Sequence, residues 1–310
     1  MIKPRRGKTQ SKKTVVVAVH DAGGAEIIAA FVRKHRKRTR FSVYAGGPAL
    51  AVFKREKLFF KRAPRTRKGM ARILKNSKNI AYALIGTGWM TMVEINACIE
   101  AKRAGIKAYM YLDSWMNYRG RFGYPNHGWQ KRLPDEFWVG DPFALVLARK
   151  AFSQIRVRMV PNQYFVNVKK RYQALSKKHA PRNAILFLST PGAEARNILA
   201  ELLKHVSLME KPPIMRIRFH PADSRKRYDA LAERYRRDMR IEVSQEKDIV
   251  EDIVRARVAI GAETMALAVT ALVGVKAICV APPREKPLLP FPKMVRATGM
   301  KAALRMLNLS

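Results

Sequence analysis

Short apolar runs recur along the chain, each closed by a glycine or polar turn and followed by a stretch with helical spacing of apolar positions. Thr14–Val19, Phe41–Ala45, Ala81–Ile85, Ile106–Leu112, Glu136–Val139 and Arg156–Val160 have the length and the β-branched or aromatic content of strands. Helices are expected between them at Ile27–Arg33, through residues 50–78, at Met92–Ala104 and at Phe143–Phe152. A polar helix around Asn167–His179 and a Pro181-Arg182 turn interrupt the rhythm. It restarts with strands at Ala184–Leu188, Ile214–Phe219, Ile241–Val243 and Val275–Ala281, and with helices at Ala193–Val206, Arg225–Arg237 and Asp248–Ala256. The segment VAIGAETMALAVTALVGVKAICVA, residues 258–281, condenses the pattern into one strand, turn, helix, strand unit.

Strands alternating with helices predict parallel sheets. We expect residues 14–163 to form an N-terminal Rossmann-like unit of at least five parallel strands, and 183–281 a C-terminal one, joined by a linker at 164–182. Residues 1–13 read as a basic disordered tail, and 282–310 as a proline-marked extension ending in a helix at Met300–Leu309. Two such α/β units are expected to face a cleft.

Composition narrows the partners. The chain has 310 residues, and a hydrophobic content of 48% argues against general disorder. Lys and Arg number 62 against 23 Asp and Glu, a formal charge of +39, which favours a polyanion, an acidic membrane face or phosphorylated substrates. The basic stretch 50–78 also carries Phe53, Leu58, Phe59 and Phe60. Those residues fit either an amphipathic face for anionic lipid or core packing beneath a solvated surface. Val15–Val19 is too short for a signal-peptide core, and the longest apolar region contains Lys276 and a helix-breaking glycine, so a cytoplasmic protein, peripheral at most to the membrane, is expected. Cys98 and Cys279 lie in apolar runs and offer no disulfide framework. The six histidines are scattered, so no metal site is expected.

The chemistry concentrates in turns that follow strands. Gly261-Ala262-Glu263-Thr264 would place free helix amides at the carboxyl end of a strand, where open α/β sheets bind ligands. His20-Asp21-Ala22-Gly23-Gly24 follows the first strand without the spacing of a dinucleotide fingerprint, its two glycines permitting a tight turn beside a ligand. Gly86-Thr87-Gly88-Trp89 is a third such turn, with Glu94 early in the next helix as either a dipole partner or a ligand contact. Asp113, Asn117, Tyr118, Arg119 and Arg121 cluster after another strand and suit a polar ligand and an anion. Ser189-Thr190-Pro191-Gly192 and His220-Pro221 complete the set.

Taken together these features resemble the GT-B glycosyltransferase superfamily over most of the chain. Within it, IGTGWMTMVEINACIEAKRAGIKAYMYLDSWMNYRGRF is similar to bacterial proteins linked to surface polysaccharide synthesis. Those proteins tend to carry a histidine where Ser114 stands, which puts an activity needing that imidazole in question. The second half resembles polysialyltransferase-like and teichoic-acid glycerophosphotransferase-like enzymes, through His220-Pro221 and the later Thr264. The resemblance implies that these elements hold a donor nucleotide and its phosphate, with protonated His220 and the amides near Thr264 stabilising a departing phosphate. It implies a transferase moving a sugar from a nucleotide sugar to a glycan or lipid-linked acceptor, with no cofactor beyond that donor. Asp21 or Asp113 is the expected base. The rival expectations are a nucleotide-sugar 2-epimerase-like or polyol-phosphate transferase enzyme. A nucleic-acid-binding role is disfavoured, because the chain lacks a stacking platform of aromatics and finger or RRM motifs.

Overall fold

A computed structural model describes residues 13–89, 91–178, 183–220, 223–281 and 291–307. The expected basic tail, apart from Lys13, the Pro181-Arg182 turn, Pro221 and most of the proline-rich run lie outside the described residues. The chain divides into two compact units, Met1–Tyr164 and Phe165–Ser310.

The first unit contains β1 (Thr14–Val19), α1 (Ala22–His35), β2 (Arg40–Ala45), α2 (Ala49–Arg55), β3 (Lys61–Arg62), α3 (Arg67–Asn76), β4 (Ile80–Ile85), α4 (Val93–Arg103), β5 (Ala108–Tyr111), β6 (Glu136–Val139), α5 (Pro142–Ala151) and β7 (Arg156–Met159). These strands form one parallel sheet in the order β3-β2-β1-β4-β5-β6-β7. β1 is central and buried along its whole length, which is why its sequence is a continuous apolar run instead of an alternating one. Ile27, Ile28 and Val32 of α1 and Val52 and Phe53 of α2 pack on it. Helix starts follow local chemistry: Asp141 accepts the Ala144 amide at 2.8 Å with Pro142 in the first turn of α5.

Unit two contains α6 (Gln163–Ser176), which begins at the unit boundary, β8 (Ala184–Leu188), α7 (Ala193–Val206), β9 (Ile214–Arg218), α8 (Lys226–Tyr235), β10 (Ile241–Val243), α9 (Ile249–Ile253), β11 (Ala256–Gly261), α10 (Met265–Leu272), β12 (Lys276–Ala281), β13 (Val295–Thr298) and α11 (Met300–Met306). Its sheet is also wholly parallel, in the order β10-β9-β8-β11-β12-β13. Buried Asp252 of α9 ties the outer strands together, binding Arg216 and Arg218 at 2.6 Å each and the Ser244 hydroxyl at 2.7 Å.

Several expectations change. Residues 50–78 are not one helix. Lys57 has φ of 51°, Pro64 follows, and the short edge strand β3 pairs with Tyr44 and Ala45 between two separate helices. Phe53 and Leu58 are buried and Phe60 packs on the core, whereas Phe59 is 81% exposed among exposed Lys54, Lys57, Lys61 and Arg62. Residues 295–307 belong to the second sheet and core, since β13 pairs with β12 and Ala303, Leu304 and Leu307 are buried in the same cluster. The helix expected at Asp248–Ala256 ends at Ile253, because Ala256 already pairs with Ala184. Among the described residues no helix is long and apolar enough to cross a membrane.

Candidate functional site

In each sheet the strand order reverses once. The first sheet reverses between β1 and β4, the second between β8 and β11. Loops leaving the carboxyl ends of those strands open the crevice where doubly wound sheets take ligands. His20-Asp21 and Gly86–Trp89 lie at the first reversal, and Ser189–Gly192 and Ala262–Thr264 at the second.

Asp21 precedes α1 in the position of a capping residue, yet its side chain makes no cap. One carboxylate oxygen takes the Trp89 amide at 3.0 Å, and the other meets His20 Nδ1 at 2.9 Å. The absence of a side chain at Gly88 permits this, since a Cβ there would stand 3.0 Å from the Asp21 carboxyl carbon. His20 lies over Gly46 and Gly47, and a side chain at Gly47, where φ is already +44°, would collide with the imidazole. The His20 amide donates to Glu94 Oε1 at 2.7 Å. Glu94 sits in the first turn of α4 and is 1% exposed. Burial pushes its carboxyl up to about 7, with Asp21 adding to the rise and backbone hydrogen bonds opposing it.

A second group adjoins the first. α1 begins at Ala22, so Gly23 and Gly24 occupy its first turn instead of a loop before it. The Asp113 carboxylate stands where a Gly23 side chain would be, and Gly24 lies against the Thr87 backbone. Arg121, with a side chain only 3% exposed, pairs with Asp113 Oδ1 at 2.5 Å and donates to Thr87 Oγ1 at 3.0 Å. It also donates to the Ser114 hydroxyl, and its guanidinium lies 5.0 Å from the centre of the half-exposed Trp89 ring. Arg121 therefore serves to clamp Asp113 and is not a free anion contact. Among the described residues, the buried side-chain polar atoms with no hydrogen-bond partner are Glu94 Oε2, Arg121 Nε and Tyr118 OH. Buried polar groups are ordinarily paired, and two of these three, on Glu94 and Arg121, belong to side chains already bound to the turns at these strand ends.

Not every residue singled out in this stretch joins them. The 3-10 turn Gly120–Phe122 sends Arg121 inward and Arg119 outward. Arg119 binds the Ala151 carbonyl at 2.7 Å and lies over Tyr124. Asn117, with φ of 45°, packs its amide against Gly120, and Tyr118 stacks on Phe152 in the aromatic core. The Tyr118 hydroxyl is pushed above its usual range, chiefly by burial.

In the second unit, Ser189 ties the turn after β8 to the turn after β9. Its hydroxyl accepts the His220 amide at 2.9 Å and donates to Asp223 Oδ2 at 2.8 Å, an oxygen that also accepts from Tyr228 at 2.7 Å. Desolvation pulls the His220 imidazole below its usual range, with Asp223 opposing, so the expectation of a protonated His220 changes to a neutral imidazole. Thr264 is buried and caps α10 through the Ala266 amide at 3.4 Å. Glu263 is bound by Arg296 of β13 at 2.9 Å, from a segment expected outside the unit. Thr190 is partly exposed beside Gly192, whose φ of 128° suits glycine. His20 and buried Glu94 were not legible as a pair. Nothing in their spacing of 74 residues announces contact.

No family model matches the sequence, and no curated protein does. Solved structures match over nearly the whole chain. A UDP-GlcNAc 2-epimerase from Methanocaldococcus jannaschii is 10% identical, covers 96% of this chain and 92% of its own, and superposes with a TM-score of 0.67. A putative UDP-N-acetylglucosamine 2-epimerase from Listeria monocytogenes gives 0.69 at 12% identity, over 96% of this chain and 88% of its own. MurG from Acinetobacter baumannii gives 0.55 at 15% identity, over 88% of this chain and 79% of its own. At these identities the likeness is one of fold. The chain's two parallel-sheet units have the GT-B architecture.

Proposed function

We propose that this protein is a nucleotide-sugar enzyme of GT-B fold, and specifically a transferase carrying a sugar from a nucleotide-activated donor to a hydroxyl of a glycan or lipid-linked acceptor. The observation that carries this reading is the His20–Asp21 pair at the reversal of the first sheet. With its proton on Nδ1, His20 is held by Asp21 and presents Nε2 as a base. The acceptor oxygen attacks the anomeric carbon, its proton passes to His20, and the bond to the nucleoside diphosphate breaks with its electron pair leaving on phosphate. Asp21 thus orients the base instead of acting as one. Asp113, its Oδ1 occupied by Arg121 and Thr87, shapes the floor beside Gly23.

The donor is assigned to the second unit, at Ser189, Thr190, His220, Pro221 and Thr264. A neutral His220 supplies an N–H to phosphate instead of a full charge, alongside the amides at the start of α10. The exposed Phe59 within a basic stretch supports a lipid-linked acceptor presented at an anionic membrane surface.

A 2-epimerase is the second reading, favoured by the extent of the match to such enzymes. Purified protein is first screened by thermal shift against UDP, CMP, CDP, GDP and TDP, together with His220→Ala and Thr264→Ala. A nucleotide that stabilises the parent and neither variant supports the donor assignment. The corresponding nucleotide sugar is then incubated with and without acceptor. Free nucleotide with a lengthened acceptor supports transfer, whereas an isomerised nucleotide sugar formed without acceptor supports epimerisation. Stabilisation by no nucleotide, or equal stabilisation of both variants, refutes the donor site.

A further inference from the structure

β7 is the outermost strand of the first sheet, and a groove of about 690 Å³ runs beside it. Four consecutive residues, Arg156, Val157, Arg158 and Met159, all line this groove. Side chains of a strand point alternately to opposite faces, so a groove touched by every residue in a row lies along the strand's edge. The Val160 amide donates inward to the Val139 carbonyl at 2.9 Å. By alternation, Val157 and Met159 direct their amides and carbonyls outward into the groove. α5 and the turn after it line the other side, with partly buried Leu145 and Ile155 as its apolar groups, exposed Arg149 beside them and buried Phe152 beneath.

The charge of this edge is one-sided. Arg156 and Arg158 reach back to Glu136 at 3.4 and 2.8 Å. That carboxylate is 5% exposed and also accepts from Trp138; it is paired with Arg156 and Arg158, and Arg149 adds a third arginine to the groove lining. Beside them Val146 is 66% exposed and Met159 51% exposed. Charged residues commonly guard a free edge, and here they stand beside an open groove that apolar groups also line.

We propose that the edge of β7 receives an extended acidic segment of another protein as an added strand. Backbone hydrogen bonds would supply affinity, and alternate apolar and acidic side chains would meet the apolar groups and the arginines. The occupant does not come from this chain's own tail, since residues 1–13 carry six basic residues and no acidic one. A second copy pairing edge to edge would set Arg156 and Arg158 against their own counterparts. A bilayer offers no strand to satisfy the outward amides.

The probe is a fluorescein-labelled peptide of alternating Glu and Val, titrated into the full chain and followed by polarisation. Saturable binding is expected, weakened roughly tenfold or more by methylating alternate backbone nitrogens of the peptide. Met159→Pro, which removes one outward amide at an exposed edge position, and the pair Arg149→Glu with Arg158→Glu are expected to weaken it as much. Lys57→Glu with Lys61→Glu, elsewhere on the same unit, is expected to leave it unchanged. Circular dichroism of each variant excludes unfolding as the cause. Equal binding of the methylated peptide, equal loss in the Lys57 and Lys61 variant, or no saturable binding overturns strand addition. Displacement of the peptide by phosphatidylglycerol vesicles, with Met159→Pro without effect, overturns it in favour of a lipid surface.

Discussion

Replacing Glu94 by glutamine separates the protonation of this buried group from its shape. The amide keeps an oxygen for the His20 N–H, which Glu94 accepts at 2.7 Å, and cannot ionise. Burial raises the Glu94 carboxyl from 4.5 to about 7. Below pH 4.5 both folded and unfolded chains hold the proton, and Glu94 makes no pH-dependent contribution. Between 4.5 and 7 the unfolded carboxylate ionises while the folded one stays protonated, so stability falls as pH rises. Above 7 both are ionised and the loss is constant, at about 3 kcal/mol from the size of the shift. The Glu94→Gln variant escapes this loss, so it should gain on the parent by that amount across the window. All four tryptophans, Trp89, Trp115, Trp129 and Trp138, belong to the first unit, so their fluorescence follows its unfolding alone. In urea, the midpoint of the variant should move above the parent's by about 1–3 M between about pH 4.5 and pH 8. A difference independent of pH, or a parent that gains on the variant as pH rises, would refute a protonated buried Glu94.

Three further outcomes test other parts of the structure. Asp21→Asn retains an acceptor for the Trp89 amide but weakens the hold on His20, so turnover should fall by roughly 100-fold while nucleotide binding by thermal shift is unchanged. Gly23→Ala drives a methyl group into the Asp113 carboxylate and should cost about 1–3 kcal/mol by urea denaturation, whereas Gly24→Ala meets only ordinary contacts with Thr87 and should be tolerated. Asp252→Ala leaves Arg216 and Arg218 without their shared buried partner, and should destabilise the second unit by about 3–5 kcal/mol in calorimetry, with the tryptophan signal unmoved.

Much of the architecture was legible because its signals are local. Val15–Val19 and Ala184–Leu188 are continuous apolar runs because both faces are covered, and the glycine and polar turns after β1, β4, β8 and β11 stand at the sheet reversals. β3 was missed because two exposed basic residues carry no strand pattern, and β13 because VRAT is too short and mixed to outweigh the prolines before it. Their assignment comes from pairing with β2 and β12.

The amino-acid sequence alone determined the alternation of strands and helices, the presence of two parallel-sheet α/β units and the glycine and polar turns at the strand ends, since periodicity and turn propensity act over a few residues. Tertiary structure alone decided that Arg121 turns inward to clamp Asp113 while Arg119 faces away, that Asp21 holds His20 instead of capping its helix, and that Glu94 is sealed behind them. Each of those outcomes is set by desolvation and by partners distant along the chain, and neither quantity is written in the neighbouring sequence.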